Sequence, residues 1–174
     1  MTKVEKLISA MAESSKFGKG VFSKAELAYL LNVEQTPRFN KFLYDCVKKG
    51  TINRIANGLF ESTITPPNPR TAIYEVARKL RPGYLNYISL ESELSRTGEI
   101  SQIIMDRLTL MTRGRSGTFK TRYGVVEFIH TKHKVSQLEN DLFFDEEVKM
   151  YRAMPHRALA DLKSCKRNLQ MINH

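Results

Sequence analysis

The sequence has 174 residues, 41% of them hydrophobic, which is enough for one or two small domains with their own cores. It has 28 lysines and arginines against 18 aspartates and glutamates, so its formal charge is +10, which favours a polyanionic partner over a merely solvated basic surface. No stretch approaches the roughly 18 apolar residues of a membrane-spanning helix and no signal-peptide core opens the chain, so we expect a cytoplasmic protein without a membrane partner.

The first predicted element is a helix over residues 2–14. Thr2 and Glu5 occupy the positions of a capping box, in which each side chain binds the backbone amide of the other residue. Apolar residues then recur at helical spacing, at Val4, Leu7, Ile8 and Met11. This stripe predicts one buried helix face.

Two further helices are predicted before residue 50, separated by a short turn. Ser23 is the expected N-cap of the first, and Thr36 is the expected N-cap of the second. Pro37 suits the first helical position, where its missing N–H costs nothing. Gly50 follows the last periodic residue and ends the second helix.

A β-hairpin is predicted next, because two β-rich runs flank the turn signal Asn57-Gly58. The order helix, turn, helix and hairpin is typical of a winged helix-turn-helix. We therefore expect residues 1–64 to form a winged helix-turn-helix DNA-binding domain.

In such a module the N-terminal residues of the second helix reach base edges in the major groove. The outward positions here are polar and basic, with Arg suited to guanine, Asn or Gln to adenine, and Lys to phosphate. The predicted DNA-binding residues are Lys24, Gln35, Thr36, Arg38, Asn40, Lys41, Tyr44, Lys48, Lys49, Asn53, Arg54 and Asn57. The alternative is a module that serves only packing or protein contacts.

Residues 63–69 form the predicted domain boundary, because their prolines cannot continue a helix or a central strand. Residues 70–174 are expected to form a small α/β domain with a short antiparallel sheet, which makes the fold class α+β. Its predicted helices span residues 70–81, 90–95 and 154–172, the last with Leu169 and Ile172 in its apolar stripe. Its predicted strands span residues 103–111, 118–123 and 125–131, the first two joined as a hairpin.

A candidate second basic surface lies on the helix over residues 70–81 and on the hairpin that follows. It could bind nucleic acid or a partner, but helix cations can be merely solvated, and charged side chains on an edge strand also prevent aggregation. Its residues are Arg70, Tyr74, Arg78, Arg81, Arg113, Arg115, Lys120 and Arg122.

Catalytic and metal-binding patterns are weak. The sequence has no P-loop, no dinucleotide-binding glycine motif and no nucleophile elbow, and His130 and His133 lack partners at ligand spacing. Cys46 and Cys165 fall on predicted inner helix faces, which indicates buried thiols. We therefore expect no enzymatic activity, no cofactor and no metal.

Two segments of the second half are more distinctive. The chain reads YLNYISLESELSRTGEI over residues 84–100 and YRAMPHRALADL over residues 151–162. With GVFSKAEL and GTINRIANGLF before them, they resemble the AbiEi family of type IV abortive-infection antitoxins, which carries similar segments in the same order. Glu93 stands where the family usually has Ala.

The resemblance implies an N-terminal winged helix that binds inverted repeats upstream of its own operon and represses transcription. It also implies a second domain that opposes a nucleotidyltransferase-type toxin in phage defence, without direct contact between the two proteins. The predicted function is thus that of a DNA-binding autorepressor and antitoxin. One alternative is a DNA-binding regulator or accessory protein of a mobile element with no toxin partner. The other is a nucleic-acid-processing enzyme, against which the absence of a carboxylate or histidine cluster in the sequence argues.

Overall fold

The computed structural model describes residues 1–99 and 106–167, which belong to two compact units, Met1–Lys79 and Leu80–His174. Both units mix helices with sheet, as the α+β prediction requires. The division follows Lys79 and not the proline-rich segment over residues 63–69, where we expected it. None of the helices in the described ranges has both the length and the apolarity to cross a lipid bilayer.

The first unit is built from four helices and a small antiparallel sheet. Its strands lie in the order β1-β3-β2, with a bulge in β2 between Arg54 and Ala56. The elements are α1 (Lys3–Ser15), β1 (Phe22–Ser23), α2 (Lys24–Leu30), α3 (Pro37–Lys48), β2 (Ile52–Ala56), β3 (Leu59–Ser62) and α4 (Ala72–Leu80).

Local capping explains where the first three helices begin. Thr2 and Glu5 form the predicted capping box of α1. The Ser23 hydroxyl accepts the amide of Glu26 at the start of α2, and Thr36 Oγ1 accepts the amide of Phe39 at the start of α3. All three predicted caps are therefore confirmed. The helices enclose a core that includes Leu7, Met11, Phe22, Leu27, Phe39, Leu43, Cys46, Ile52 and Phe60.

Helix α4 belongs to the first unit because its buried carboxylate binds the chain before β1. Glu75 is only 6% exposed, and its Oε1 accepts the amides of Gly20 at 2.9 Å and Val21 at 2.8 Å. Lys79 Nζ binds the carboxylate of Glu26 at the start of α2. The predicted boundary missed these contacts because they join residues more than fifty positions apart.

The second unit is organised by a six-stranded sheet in the order β6-β7-β5-β4-β9-β8. Pairs β4/β9 and β5/β7 are parallel and the other neighbours are antiparallel, so the predicted short antiparallel sheet is wrong. The elements are β4 (Asn86–Ile88), α5 (Leu90–Arg96), β5 (Arg107–Thr112), β6 (Gly117–Thr121), β7 (Gly124–His130), α6 (Val135–Leu138), β8 (Leu142–Asp145), β9 (Met150–Ala153) and α7 (Pro155–Ser164).

Two local predictions for this unit need correction, and a third group of predicted positions is not described by the structure. Strands β5 and β6 are not neighbours, because β7 lies between them, so residues 112–117 are not a hairpin turn. Helix α7 ends at Ser164, with Cys165 as its C-cap, so the predicted helix over residues 154–172 is too long. The predicted positions Leu169 and Ile172, and residues 103–105 of the predicted strand, lie outside the described residues.

Helices α5 and α7 contribute to the core of the second unit together with the sheet. Tyr87 and Met111 from the sheet pack there with Leu90 and Leu94 of α5 and with Leu162 of α7. Of the two predicted inner cysteines, Cys46 in the first unit is buried and Cys165 is half-buried, and burial raises the pKa of both thiols.

Candidate nucleic-acid interface

Helix α3 presents a polar and basic face opposite its buried one. Phe39, Leu43 and Cys46 face the core, and Tyr44 between them is 65% exposed. The helical period therefore carries the predicted contact residues outward. Those exposed on α3 and at its two ends are Gln35, Arg38, Asn40, Lys41, Tyr44, Lys48 and Lys49.

The β2–β3 hairpin supplies the other predicted contacts. Ile52 and Ile55 are buried, and Arg54 and Asn57 are exposed. Arg54 Nη2 donates to Asn57 Oδ1 at 2.9 Å, which holds the guanidinium beside the turn.

A depression of about 270 Å³ joins α3, the start of α2 and the hairpin, and we call it the α3–hairpin depression. Buried or half-buried apolar side chains take part in its lining together with cations and amides, and its lining includes no carboxylate. Two of the lining residues are bonded to each other, because the Lys24 amide donates to the Gly58 carbonyl at 3.1 Å. The lining residues are Lys24, Asn40, Leu43, Tyr44, Val47, Arg54, Asn57, Gly58 and Phe60.

Five of the twelve predicted DNA-binding residues therefore line one concave surface: Lys24, Asn40, Tyr44, Arg54 and Asn57. The others are spread along and beside α3 or engaged within the protein. Thr36 accepts the Phe39 amide as a cap, and Asn53 Nδ2 donates to Glu61 Oε1 at 3.3 Å. Both residues therefore have structural roles. The cap by Thr36 was predicted from the sequence, and the bond from Asn53 to Glu61 was not.

The candidate second basic surface is divided by the structure. Arg70, Tyr74 and Arg78 belong to the first unit, and the other five residues belong to the second. Within the second unit, β6 separates Arg115, before its start, from Lys120 and Arg122 at its far end. Within the second unit, the predicted residues therefore lie at both ends of β6 and do not form one cluster.

Two of the predicted basic residues bind protein groups. Arg81 lies over the rings of Phe119 and Phe128, at 4.9 and 5.2 Å from their centroids, and its Nε donates to the Arg115 carbonyl at 2.8 Å. Burial and the nearby Arg115 lower the pKa of this guanidinium. Arg113 Nη1 donates to the Thr131 carbonyl at 3.0 Å.

Comparison with known proteins identifies no family. No protein-family model matches the chain, and no curated protein matches it. Its structure is similar to that of the Rv2827c protein from Mycobacterium tuberculosis, with a TM-score of 0.61 and 12% sequence identity over 97% of this chain. The chain spans 63% of the length of that protein, and at this identity the likeness establishes the fold alone.

Sequence reasoning missed a buried carboxylate that joins the two distinctive segments. Asp161, 1% exposed on α7, accepts hydrogen bonds from Tyr87 Oη at 2.9 Å and Ser89 Oγ at 2.7 Å. Arg157 Nε donates to its other oxygen at 3.0 Å. Burial and the carboxylate raise the pKa of Tyr87. Residues 84–100 and 151–162 are thus bonded to each other through Asp161.

A second carboxylate, Glu93, joins the same two segments. It has no exposed surface, and it binds Arg96 on α5 and Arg152 Nη1 on β9, the latter at 2.9 Å. A signal for both acids was present in the sequence, because each lies three positions after an apolar residue of a predicted helix, Glu93 after Leu90 and Asp161 after Ala158. Residues three apart share one face of a helix. A charge in such a position needs a buried partner.

The described residues contain no group of three or more histidines, cysteines, aspartates or glutamates placed to hold a metal ion. Their buried acids instead bind arginines, hydroxyls and backbone amides.

Proposed function

We propose that the first unit is a winged helix-turn-helix that binds double-stranded DNA at a specific sequence. The observation that carries the proposal is the α3–hairpin depression, which brings five predicted contact residues from three elements onto one carboxylate-free surface. The element order α1-β1-α2-α3-β2-β3 and the sheet order β1-β3-β2 are those of winged-helix modules.

In this proposal α3 lies in the major groove and reads base edges through its N-terminal residues. Arg38 is exposed there, and its fork can bind O6 and N7 of guanine. Lys24 and Arg54 on the depression bind phosphates of the strand that passes between α3 and the hairpin. Asn57, at the hairpin turn, faces the adjacent backbone or minor groove.

We further propose that the protein is a cytoplasmic autorepressor and type IV antitoxin. Support comes from the resemblance of residues 84–100 and 151–162 to the AbiEi family, and from the bonds of Asp161 that join these segments. The winged helix would bind an inverted repeat upstream of its own operon. The second unit would oppose a nucleotidyltransferase-type toxin without touching it.

The deciding experiment is a gel shift of the purified protein on its own upstream region and on unrelated DNA of equal length, at two salt concentrations. We expect retained binding to a discrete inverted repeat in the presence of excess unrelated DNA. Binding that disappears equally for both duplexes as salt rises would contradict the sequence-specific function, because only the phosphate contribution would then be present.

Substitutions on α3 separate base reading from phosphate binding. Arg38→Ala should cost about 1–3 kcal/mol at the cognate site and little elsewhere, whereas Lys49→Ala should weaken binding to every duplex and flatten its salt dependence. Competition titrations with both duplexes measure the difference. Equal losses on both duplexes from the two variants would overturn the assignment of α3 as the base-reading helix.

Co-expression tests the antitoxin function. The protein should restore growth to cells that express the nucleotidyltransferase encoded beside it. Arg38→Ala is the matched variant, because it should lose repression of a reporter and keep the rescue of growth. If wild-type protein represses the reporter but does not rescue growth, the chain is a regulator without a toxin partner.

A further inference from the structure

Two loops emerge from the same end of the large sheet in the second unit. Strands β5 and β7 are parallel, with Thr112 opposite His130, so both chains leave the sheet at this end. The chain after β5 must then cross the end of β7 to enter β6, which lies on the far side of β7. Residues 113–116 therefore pass over the point where residues 131–134 begin. We call these two segments the paired loops.

Hydrogen bonds hold the paired loops together. The Thr131 amide donates to the Thr112 carbonyl at 2.8 Å, and Arg113 Nη1 donates to the Thr131 carbonyl at 3.0 Å. His130 donates its amide to Ser116 Oγ at 2.8 Å and its ring Nδ1–H to the Gly114 carbonyl at 2.7 Å. The backbone of both loops is thus fixed before any ligand arrives, which lowers the entropic cost of binding.

The paired loops carry a concentration of positive charge. Arg115, Lys132 and Lys134 are exposed, and their side chains form no ion pair within the described residues. Residues 107–138 contain a single carboxylate, Glu127, and that carboxylate binds Arg167 at 2.7 Å.

Four other arginines of the second unit are bound within the protein. Arg96, Arg152, Arg157 and Arg167 each form an ion pair with a carboxylate. The contrast means that the charges on the paired loops are not needed to neutralise a buried acid. They are held on a fixed backbone and directed to solvent, as a phosphate-binding surface requires.

We propose that the paired loops bind the phosphodiester backbone of double-stranded DNA without regard to sequence. This inference rests on the proposed function and adds to it a second DNA contact, located in the second unit. Arg115 can bind one phosphate through two parallel hydrogen bonds, and Lys132 and Lys134 can each bind one as point charges. None of the three offers a hydrogen-bond acceptor, so the surface favours an anion.

Lys120 and Arg122 are not part of this surface. They lie at the opposite end of the same strands, where Lys120 and Arg107 flank Val125 across neighbouring strands. Strand β6 is at the edge of the sheet, and a lysine there discourages pairing with another chain. This end provides a matched set of three cations for a control.

The experiment compares two triple variants of the full chain, Arg115→Gln/Lys132→Gln/Lys134→Gln and Arg107→Gln/Lys120→Gln/Arg122→Gln. Binding to the protein's own upstream duplex and to an unrelated duplex is measured over a series of salt concentrations. The paired-loop variant should lower the slope of log K against log salt by about 2 to 3 on both duplexes, since each phosphate contact contributes about 0.9. The control variant should keep the wild-type slope.

The possible results test this inference and the proposed function separately. If wild-type protein prefers its own upstream duplex and the paired-loop variant keeps both that preference and the slope, the inference is wrong and the proposed function stands. If the two triple variants lower the slope equally, the positive charge acts generically and the inference is also wrong. If wild-type protein shows no preference, the proposed function fails, whatever the slopes.

Two further arms check fold and ligand. Thermal unfolding must give the same midpoint for both triple variants, and the charge-preserving variant Arg115→Lys/Lys132→Arg/Lys134→Arg should restore the slope. A parallel titration uses double-stranded RNA of the same length. A slope change on RNA without one on DNA would overturn the assignment of DNA as the ligand.

Discussion

Glu93 combines complete burial with a full negative charge, and this combination determines how the second unit responds to its loss. Its carboxylate binds Arg96 and Arg152, and Arg152 is itself buried and also bonded to Asp145. A buried pair contributes little net stability when intact, but removing one partner leaves an uncompensated charge. Arg152 and Glu93 are therefore best understood as a pair.

Glu93→Ala should therefore lower the free energy of unfolding by about 3–5 kcal/mol. Glu99→Ala is the control, because Glu99 is exposed near the end of the same segment and its loss should cost less than about 0.5 kcal/mol. Urea unfolding measures both. Similar, small losses from the two variants would mean that Asp145 alone compensates the charge of Arg152.

Asp145 and Asp141 make stability depend on pH. A hydrogen bond from Arg152 holds the pKa of Asp145 below its ordinary value of 3.8, and a hydrogen bond from His156 does the same for Asp141. A carboxylate with a lowered folded-state pKa stabilises the protein fully above its unfolded pKa. That stability is lost as the pH falls through the folded pKa.

The free energy of unfolding should therefore begin to fall as the pH drops below about 5 and continue to fall through the lowered folded-state pKa values, and it should fall less steeply for Asp145→Asn. The variant is less stable than wild type at pH 7, and the two should converge in acid. Urea midpoints measured at intervals of half a pH unit provide the test. Parallel curves for the two proteins would show that the bond between Asp145 and Arg152 does not depend on the charge of Asp145.

At the level of helices and strands, local signals were predictable and distant pairings were not. The caps at Thr2, Ser23 and Thr36 depend on residues three positions apart, so the sequence reveals them. Strand β4 has three residues, and its parallel pairing of Tyr87 with Tyr151 has no local signature. The sequence therefore predicted a short antiparallel sheet where the structure has a six-stranded mixed one, because pairings between distant strands leave no local pattern.

The candidate site likewise has features that local sequence predicts and features that depend on distant strand pairing. The outward face of α3 follows from helical periodicity alone, and the position of the hairpin follows from Asn57-Gly58. The paired loops depend on β7 lying between β5 and β6, which no local pattern in the sequence encodes. Hence Arg115 was grouped with Lys120 and Arg122, and Lys132 and Lys134 were overlooked.

Helix α4 supports the first unit through Glu75, which accepts two buried backbone amides. Glu75→Leu should lower the free energy of unfolding of the first unit by about 1–3 kcal/mol, because the amides of Gly20 and Val21 lose their acceptor. Glu75→Gln, which keeps one carbonyl oxygen, should cost less. Hydrogen exchange at these two amides reports the effect directly, and unchanged protection in Glu75→Leu would contradict it.

For the whole molecule, the division after Lys79 predicts which part of the chain folds alone. Residues 1–79 should unfold cooperatively as a separate fragment, whereas residues 1–69 should have a lower urea midpoint, because they lack Glu75 and the buried Ala72 and Val76. The second fragment ends at the predicted boundary and is the matched control. Equal midpoints would mean that α4 is not needed by the first unit.

The sequence did predict the two-part organisation and the excess of positive charge. It could not place the boundary, because the bonds of Glu75 and Lys79 connect α4 to residues far earlier in the chain. Contacts between distant residues also decide which charges are exposed. The composition gives the number of lysines and arginines but does not show which of them are bonded within the protein. Arg81 and Arg113 are bonded in this way, and Arg115 extends into solvent.

Because β4 pairs with the distant strand β9, the second unit can complete its fold only later in synthesis than the first unit. The first unit is complete once Lys79 has been synthesised, but β4 cannot pair on both sides until Ala153 follows, about 4–15 s later at about 5–20 residues per second. A stop codon between Leu80 and Met150 would therefore yield a chain with a whole first unit and an incomplete sheet. Under the proposed function, such an allele would still silence its operon while leaving the cell open to the toxin.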